Sequence, residues 1–293
     1  MPEGRPEQAP DPVPALLTAE RSSEAAPIEE SQRPPIATAP LSFVLVVRDY
    51  DRECEAAVAG WIQHLDKLSR EYELLLVTDS NGEDAKPRAE LLIKQYPRLS
   101  VVPCDAYRGV GAALRAGLAA ARYPLVCYTL GDEEYDPSNL DHLLQWIDQT
   151  DLVGGYRVIS SGRRTKPMRE RVLRWLARVL FAVRLRDPGC FFLLARRSIF
   201  GRIPIQSNGP FAHVEILAKA NFLGCLMSET PVTFRPREGG KSPTGASFRQ
   251  MLAELRRVFF RPDFGPRDVP VADPGISPDH APASLPGTEN PPV

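Results

Sequence analysis

No stretch of this 293-residue sequence is long and apolar enough to cross a bilayer, since a spanning helix needs about 20 consecutive apolar residues. The first residues also lack the basic start and apolar block of a secretion signal. A cytoplasmic protein is expected, with peripheral contact at the inner membrane face as the closest approach to lipid. Cysteine is sparse: Cys54, Cys104, Cys127, Cys190 and Cys225 show no paired spacing, which argues against a zinc knuckle or a disulfide framework and for buried thiols in a reducing compartment. Acid is nearly missing from 156–186, where ten Arg and Lys face the single Glu170. Aromatics are thin in that run too. Nucleic-acid binding by stacking needs bases interleaved with aromatics, and only Tyr156, Trp175 and Phe181 are there, so no nucleic-acid partner is expected.

What is present is an apolar fraction of 43%, enough for a substantial core. Proline is concentrated at the ends, with nine of the 30 in residues 1–40 and nine in 262–293. Such segments bury too little apolar surface to offset the entropy of ordering. The expected organisation is a disordered Pro/Ala/Glu-rich tail over 1–40, one domain over 41–261 and a disordered Pro-rich tail over 262–293. Each tail carries a net charge of -4, so the overall -1 conceals a core of about +7, a balance that favours anionic ligands.

From residue 42 short β-rich runs alternate with helical stretches, the pattern of a mostly parallel sheet flanked by helices in an α/β fold. Strands are predicted at 43–47, 73–77, 100–103, 125–129 and 152–154, and helices at 53–70, 84–96, 110–122 and 138–149. Ligands of such sheets bind beyond the carboxyl ends of the strands. The residues there are polar and acidic: Arg48-Asp49-Tyr50-Asp51 after the first strand, Thr78-Asp79-Ser80-Asn81 after the second, and Gly131-Asp132-Glu133-Glu134 after the fourth. Any one of these loops reads equally as helix capping; three at one edge point to a site.

Beyond 155 the alternation stops. Residues 167–184 have helical periodicity, with Val172, Trp175, Leu176, Val179, Leu180 and Val183 on one stripe and arginines opposite. Such a helix either packs its stripe on the domain or lays it on a membrane surface.

The order of motifs resembles glycosyltransferase family 2, in the dolichyl-phosphate mannose synthase-like or polyprenyl-phosphate glycosyltransferase branch. Tyr50 is similar to the tyrosine of its first-strand signature, and Val77-Thr78-Asp79-Ser80-Asn81 to its second. Gly109, Gly111, Ala113 and Gly117 resemble its glycine motif, and Asp187-Pro188-Gly189-Cys190-Phe191 a later segment. Glu215, Glu229-Thr230-Pro231-Val232 and Arg237-Glu238-Gly239-Gly240-Lys241-Ser242 follow in the family's order. The resemblance implies a nucleotide-diphospho-sugar transferase fold of the GT-A type, a nucleotide-sugar donor, a divalent Mn²⁺ or Mg²⁺, and inverting transfer to a polyprenyl phosphate or other acceptor. It assigns donor binding to Tyr50, Asp79, Gly109, Gly111, Arg237 and Lys241, metal binding to Asp132 and Glu134, and catalytic roles to Asp132 and Glu215. Arg157 and Arg169 are the candidates for the acceptor phosphate. His213, beside Glu215, is expected to be structural, bonded to a backbone carbonyl.

The chain departs from the family where it matters. Leu130-Gly131-Asp132 stands in place of Asp-x-Asp, Glu134 where relatives often carry Gln, and Thr78 in place of an acid. Two readings stay open: a weak metal site built on Asp132 and Glu134, or a member that binds nucleotide, lipid phosphate or a protein partner without turnover.

Overall fold

The structure is a computed structural model that describes residues 36–47, 52–78, 85–104, 109–131, 135–159, 168–235 and 248–265. The elements run β1 (Leu41–Val47), α1 (Arg52–Leu65), β2 (Tyr72–Thr78), α2 (Ala85–Gln95), β3 (Leu99–Val102), α3 (Val110–Ala120), β4 (Leu125–Leu130) and α4 (Asn139–Leu144). They continue with β5 (Leu152–Ile159), α5 (Met168–Phe181), β6 (Phe192–Arg196), α6 (Arg197–Gly201), α7 (Phe211–Phe222), β7 (Met227–Phe234) and α8 (Phe248–Phe260). All five expected strands form. β6, β7, α6, α7 and α8 were not anticipated, because the alternation from which strands and helices are read stops beyond 155.

The seven strands make one sheet in the order β3-β2-β1-β4-β6-β5-β7. Only β6 runs antiparallel to its neighbours. β1 is buried at every position, as a strand covered on both faces must be. Its alternate side chains feed two cores: Leu41, Phe43, Leu45 and Val47 pack under α1, α2 and α4, while Val44 and Val46 pack under α3, α7 and their neighbours. Because β6 reverses direction once and β5 reverses it again, β5 and β7 point the same way as β1 to β4. The segments following β1, β2, β3, β4, β5 and β7 therefore all leave from one edge of the sheet. The order of the strands also reverses between β1 and β4, the switch point at which open α/β sheets hold ligands.

Packing decides which face of α5 is covered. In α5 the buried residues are Ala177 and Phe181, whereas Trp175 is 61% and Val179 57% exposed. The stripe was read from the large side chains; the small Ala177 is what lets α5 lie close, and the Phe181 ring turns that face inward against Phe211, Phe222 and Phe259. Ile36 is buried in the first core and its N–H donates to Asp148, and Phe264 meets the Phe222 ring.

Candidate functional site at the carboxyl edge of the sheet

Tyr50, Asp79, Asp132, Glu134, Arg237 and Lys241 lie outside the described residues. What the structure describes is the frame from which their segments start. Val46 of β1 pairs with Leu130 of β4, and the Gly131 N–H donates to the Val46 carbonyl at 2.8 Å. A side chain at 131 would run into Val47, 2.5 Å from where its Cβ would stand, so glycine is required there. Leu130 itself packs against the second core. The first position of the Leu130-Gly131-Asp132 run is thus apolar and partly packed against hydrocarbon.

On its far side the same segment is pinned by Tyr135. It is buried, bridges to Phe234 at the end of β7 and stacks its ring near Phe234 and Phe192. The Cys190 thiol donates to its hydroxyl, and burial pushes that thiol up to about 12, so it stays protonated and inert. Next along, Asp136 pairs with Arg235 at 3.0 Å; its bond from Ser138 holds its carboxyl below the usual range. The described residues that directly follow Asp132–Glu134 and closely precede Arg237 are therefore joined, Tyr135 to Phe234 and Asp136 to Arg235. No sequence signal singled out Tyr135; an aromatic immediately after an acidic loop was the available clue.

Gly109 and Gly111 are held by close backbone approach. Gly109 has φ +91°, a conformation that favours glycine. Added Cβ atoms would lie 2.7 Å from the Asn208 carbonyl oxygen at Gly109 and 2.5 Å from that of Ser207 at Gly111. The Gly111 N–H already donates to Asn208 at 2.7 Å. These glycines seat α3 on the 204–210 loop, and the Gly111 amide has no proton left for a phosphate.

Glu215 is turned into the protein interior. It is wholly buried, forms an ion pair with Lys219 at 2.7 Å, and accepts the backbone N–H groups of Gln206 and Ser207. With both oxygens occupied inside the protein it anchors the 204–210 loop. Lys219 completes the anchor through Pro204 and Gln206, and Glu254 of α8 accepts Asn208 and Gly209 from the other side. His213 is structural as expected, but its partner is the Tyr128 hydroxyl at 2.7 Å, not a carbonyl. Burial lowers its ring to about 3, keeping it neutral.

Arg157 is also engaged. Its guanidinium grips Asp187 with two bonds, at 2.8 and 2.9 Å, and lies over the Phe234 ring. An acceptor phosphate would have to compete with that carboxylate. Arg169 falls in the first turn of α5, with its side chain outside the described residues. Among the described residues no group of His, Cys, Asp and Glu is arranged to hold a metal.

Relatives bear on what such an edge does. Dodecaprenyl-phosphate galacturonate synthase of Rhizobium johnstonii is 24% identical over 235 residues, spanning 77% of this chain and 68% of that one. Polyprenol monophosphomannose synthase of Mycolicibacterium smegmatis is 26% identical over 228 residues, 73% of this chain and 85% of the relative. Among solved structures, glucosyl-3-phosphoglycerate synthase of Mycobacterium tuberculosis with Mn²⁺, UDP and phosphoglyceric acid superposes with a TM-score of 0.60 at 20% identity, over 78% of this chain and 81% of that one. That likeness establishes the GT-A fold. The glycosyl transferase family 2 profile matches residues 52–214, more than half of the chain, and the protein belongs to that family of glycosyltransferases.

Proposed function

We propose that the protein transfers a sugar, with inversion, from a nucleoside diphosphate donor to a polyprenyl phosphate or a related acceptor, as a cytoplasmic enzyme working at the inner membrane face. The observation that carries this reading is the bridge between Tyr135, which directly follows the Asp132/Glu134 segment, and Phe234, which closely precedes the Arg237/Lys241 segment. Tyr50 and Asp79 would hold the nucleoside, and Arg237 and Lys241 the diphosphate. A phosphate oxygen of the acceptor attacks the anomeric carbon while the bond to the donor diphosphate breaks. A phosphate is already an anionic nucleophile, so the enclosure of Glu215 removes no base that this reaction needs.

For a divalent cation the fit is partial: Leu130 is packed in the core, which leaves Asp132 and Glu134 as the carboxylates at the motif. When bound, such a cation neutralises charge growing on the leaving diphosphate. One or two carboxylates suffice for Mg²⁺ or Mn²⁺ when phosphates and water complete the shell. The apolar Leu130, packed against the second core, equally favours a second reading, a family member that binds nucleotide, lipid phosphate or a partner without turnover.

Calorimetric titration of nucleoside diphosphate sugars, with and without Mn²⁺, separates the two. Turnover predicts metal-stimulated donor binding that Asp132→Asn abolishes and Glu134→Gln weakens, together with release of the nucleoside diphosphate. Metal-independent binding with no product would establish the second reading.

A further inference from the structure

Residues 211–220 of α7 are buried around the whole helix. With the sheet beneath it and α5 and α8 packed on it and on each other, those two helices form the outermost layer on this side of the protein. Their outward positions are unusual for a solvated surface. On α5 they are Arg171, Trp175, Arg178 and Val179, and on α8 Arg249, Arg256, Arg257 and Phe260. Phe260 is 70% exposed, with the Arg256 guanidinium lying over its ring. Phe222 and Phe259 are exposed where the helices end, at the rim of an apolar cleft of about 440 Å³ that Phe181, Val258 and Phe264 also line. Among the described residues no acid pairs with the arginines of this face, and Glu254, the acid of α8, is buried against the 204–210 loop.

We infer that the outer face of α5 and α8 is a docking surface for an anionic lipid bilayer. It rests on the reading that the acceptor is met at a membrane, and adds the surface that makes the contact. Exposed Trp and Phe beside arginines suit the boundary between headgroups and acyl chains: the rings enter the hydrocarbon margin while the guanidinium groups stay among the phosphates. The cleft gives an acyl chain an apolar place to enter. The surface does not suit a second copy of itself, because pairing like faces would set the exposed arginines of α5 and α8 against one another, while the acid of α8, Glu254, is buried.

The full chain mixed with phosphatidylcholine vesicles containing about a third phosphatidylglycerol, and no polyprenyl phosphate, tests this. Of the three tryptophans, Trp61 is buried and Trp146 is partly exposed on α4's side, so Trp146→Phe leaves Trp175 as the reporter. The expected result is co-sedimentation and a blue shift of Trp175 emission with anionic vesicles, and neither with phosphatidylcholine alone. Trp175→Ser with Phe260→Ser should lower vesicle affinity more than about tenfold, and Arg171→Gln, Arg178→Gln or Arg256→Gln about fivefold each. All these positions are exposed, so the melting curve should not move. Unchanged vesicle binding in these variants, equal binding to neutral vesicles, or a shift produced only by a soluble polyanion or by self-association would overturn the proposal. Donor binding measured without vesicles is independent of the result, so loss of docking leaves the transferase reading intact.

Discussion

From β1 to β4 the protein buries hydrocarbon almost exclusively, with the Ser42–Glu73 pair, Thr129 and Asn139 as the polar exceptions. From β5 onward it encloses Asp187, His213, Glu215, Lys219 and Glu254, several of them around the one loop that seats the glycines of α3. The contrast shows two ways of fixing a ligand edge. Regular βα units place their loops by packing alone. The irregular second half, where a strand reverses and the 182–191 and 202–210 stretches carry no regular hydrogen bonding, satisfies its backbone with buried carboxylates and cations instead. Apolar packing barely responds to pH or to single charge changes; a network of buried ions responds to both.

The sharpest way to break this comparison is Glu215→Gln. An amide would turn its N–H₂ toward the Gln206 or Ser207 N–H and leave Lys219 without a counter-charge, costing about 3–5 kcal/mol in denaturant unfolding. In the first half Leu76→Ala should cost a comparable 2–5 kcal/mol through its cavity, but by the same amount at pH 5 and pH 8. If Glu215→Gln instead lowered turnover with no loss of stability, Glu215 would be catalytic and not an anchor of the loop.

A step smaller is Arg157→Met, which strands Asp187 at 6% side-chain exposure and should cost about 3 kcal/mol. Asp187→Asn with Arg157→Met together should recover part of that loss, because no buried charge remains. A double-mutant cycle read by thermal unfolding measures it.

Smaller again is the acid response of the second half. The His213 ring binds a proton near 6.5 when unfolded but only near 3 when folded. The unfolded chain holds more protons throughout that interval, so stability is complete above it and falls as pH drops through it, by about 2 kcal/mol at pH 5. Glu254 contributes with the opposite sign, since burial raises its carboxyl and protonation relieves the cost. His213→Gln should flatten the pH slope of the unfolding midpoint between pH 6.5 and 4, and Glu254→Gln should steepen it.

The smallest effect concerns the ends. Trimming to 36–265 should leave the melting temperature essentially unchanged, whereas trimming to 41–265 removes buried Ile36 and should cost about 1–2 kcal/mol. Differential scanning calorimetry of both forms sharpens where the core begins.

The sequence by itself determined the first half and the location of its ligand edge. Alternating β-rich and helical runs state a parallel sheet, and the order of strands states which ends converge, because that periodicity is local and each strand carries it alone. The family also followed from motif order. Only the tertiary structure decided what individual residues near that edge do. Glu215 and Arg157 have the composition of site residues, but Lys219, Asp187 and two backbone amides reach them from elsewhere in the chain and close them off. Tyr135 gains its role only because the end of β7, at the edge of the sheet, bridges to it through Phe234. The face that α5 buries was likewise set by its neighbours, through the fit of Ala177 and the ring contacts of Phe181, since periodicity marks an apolar stripe but not which part of it another helix will cover.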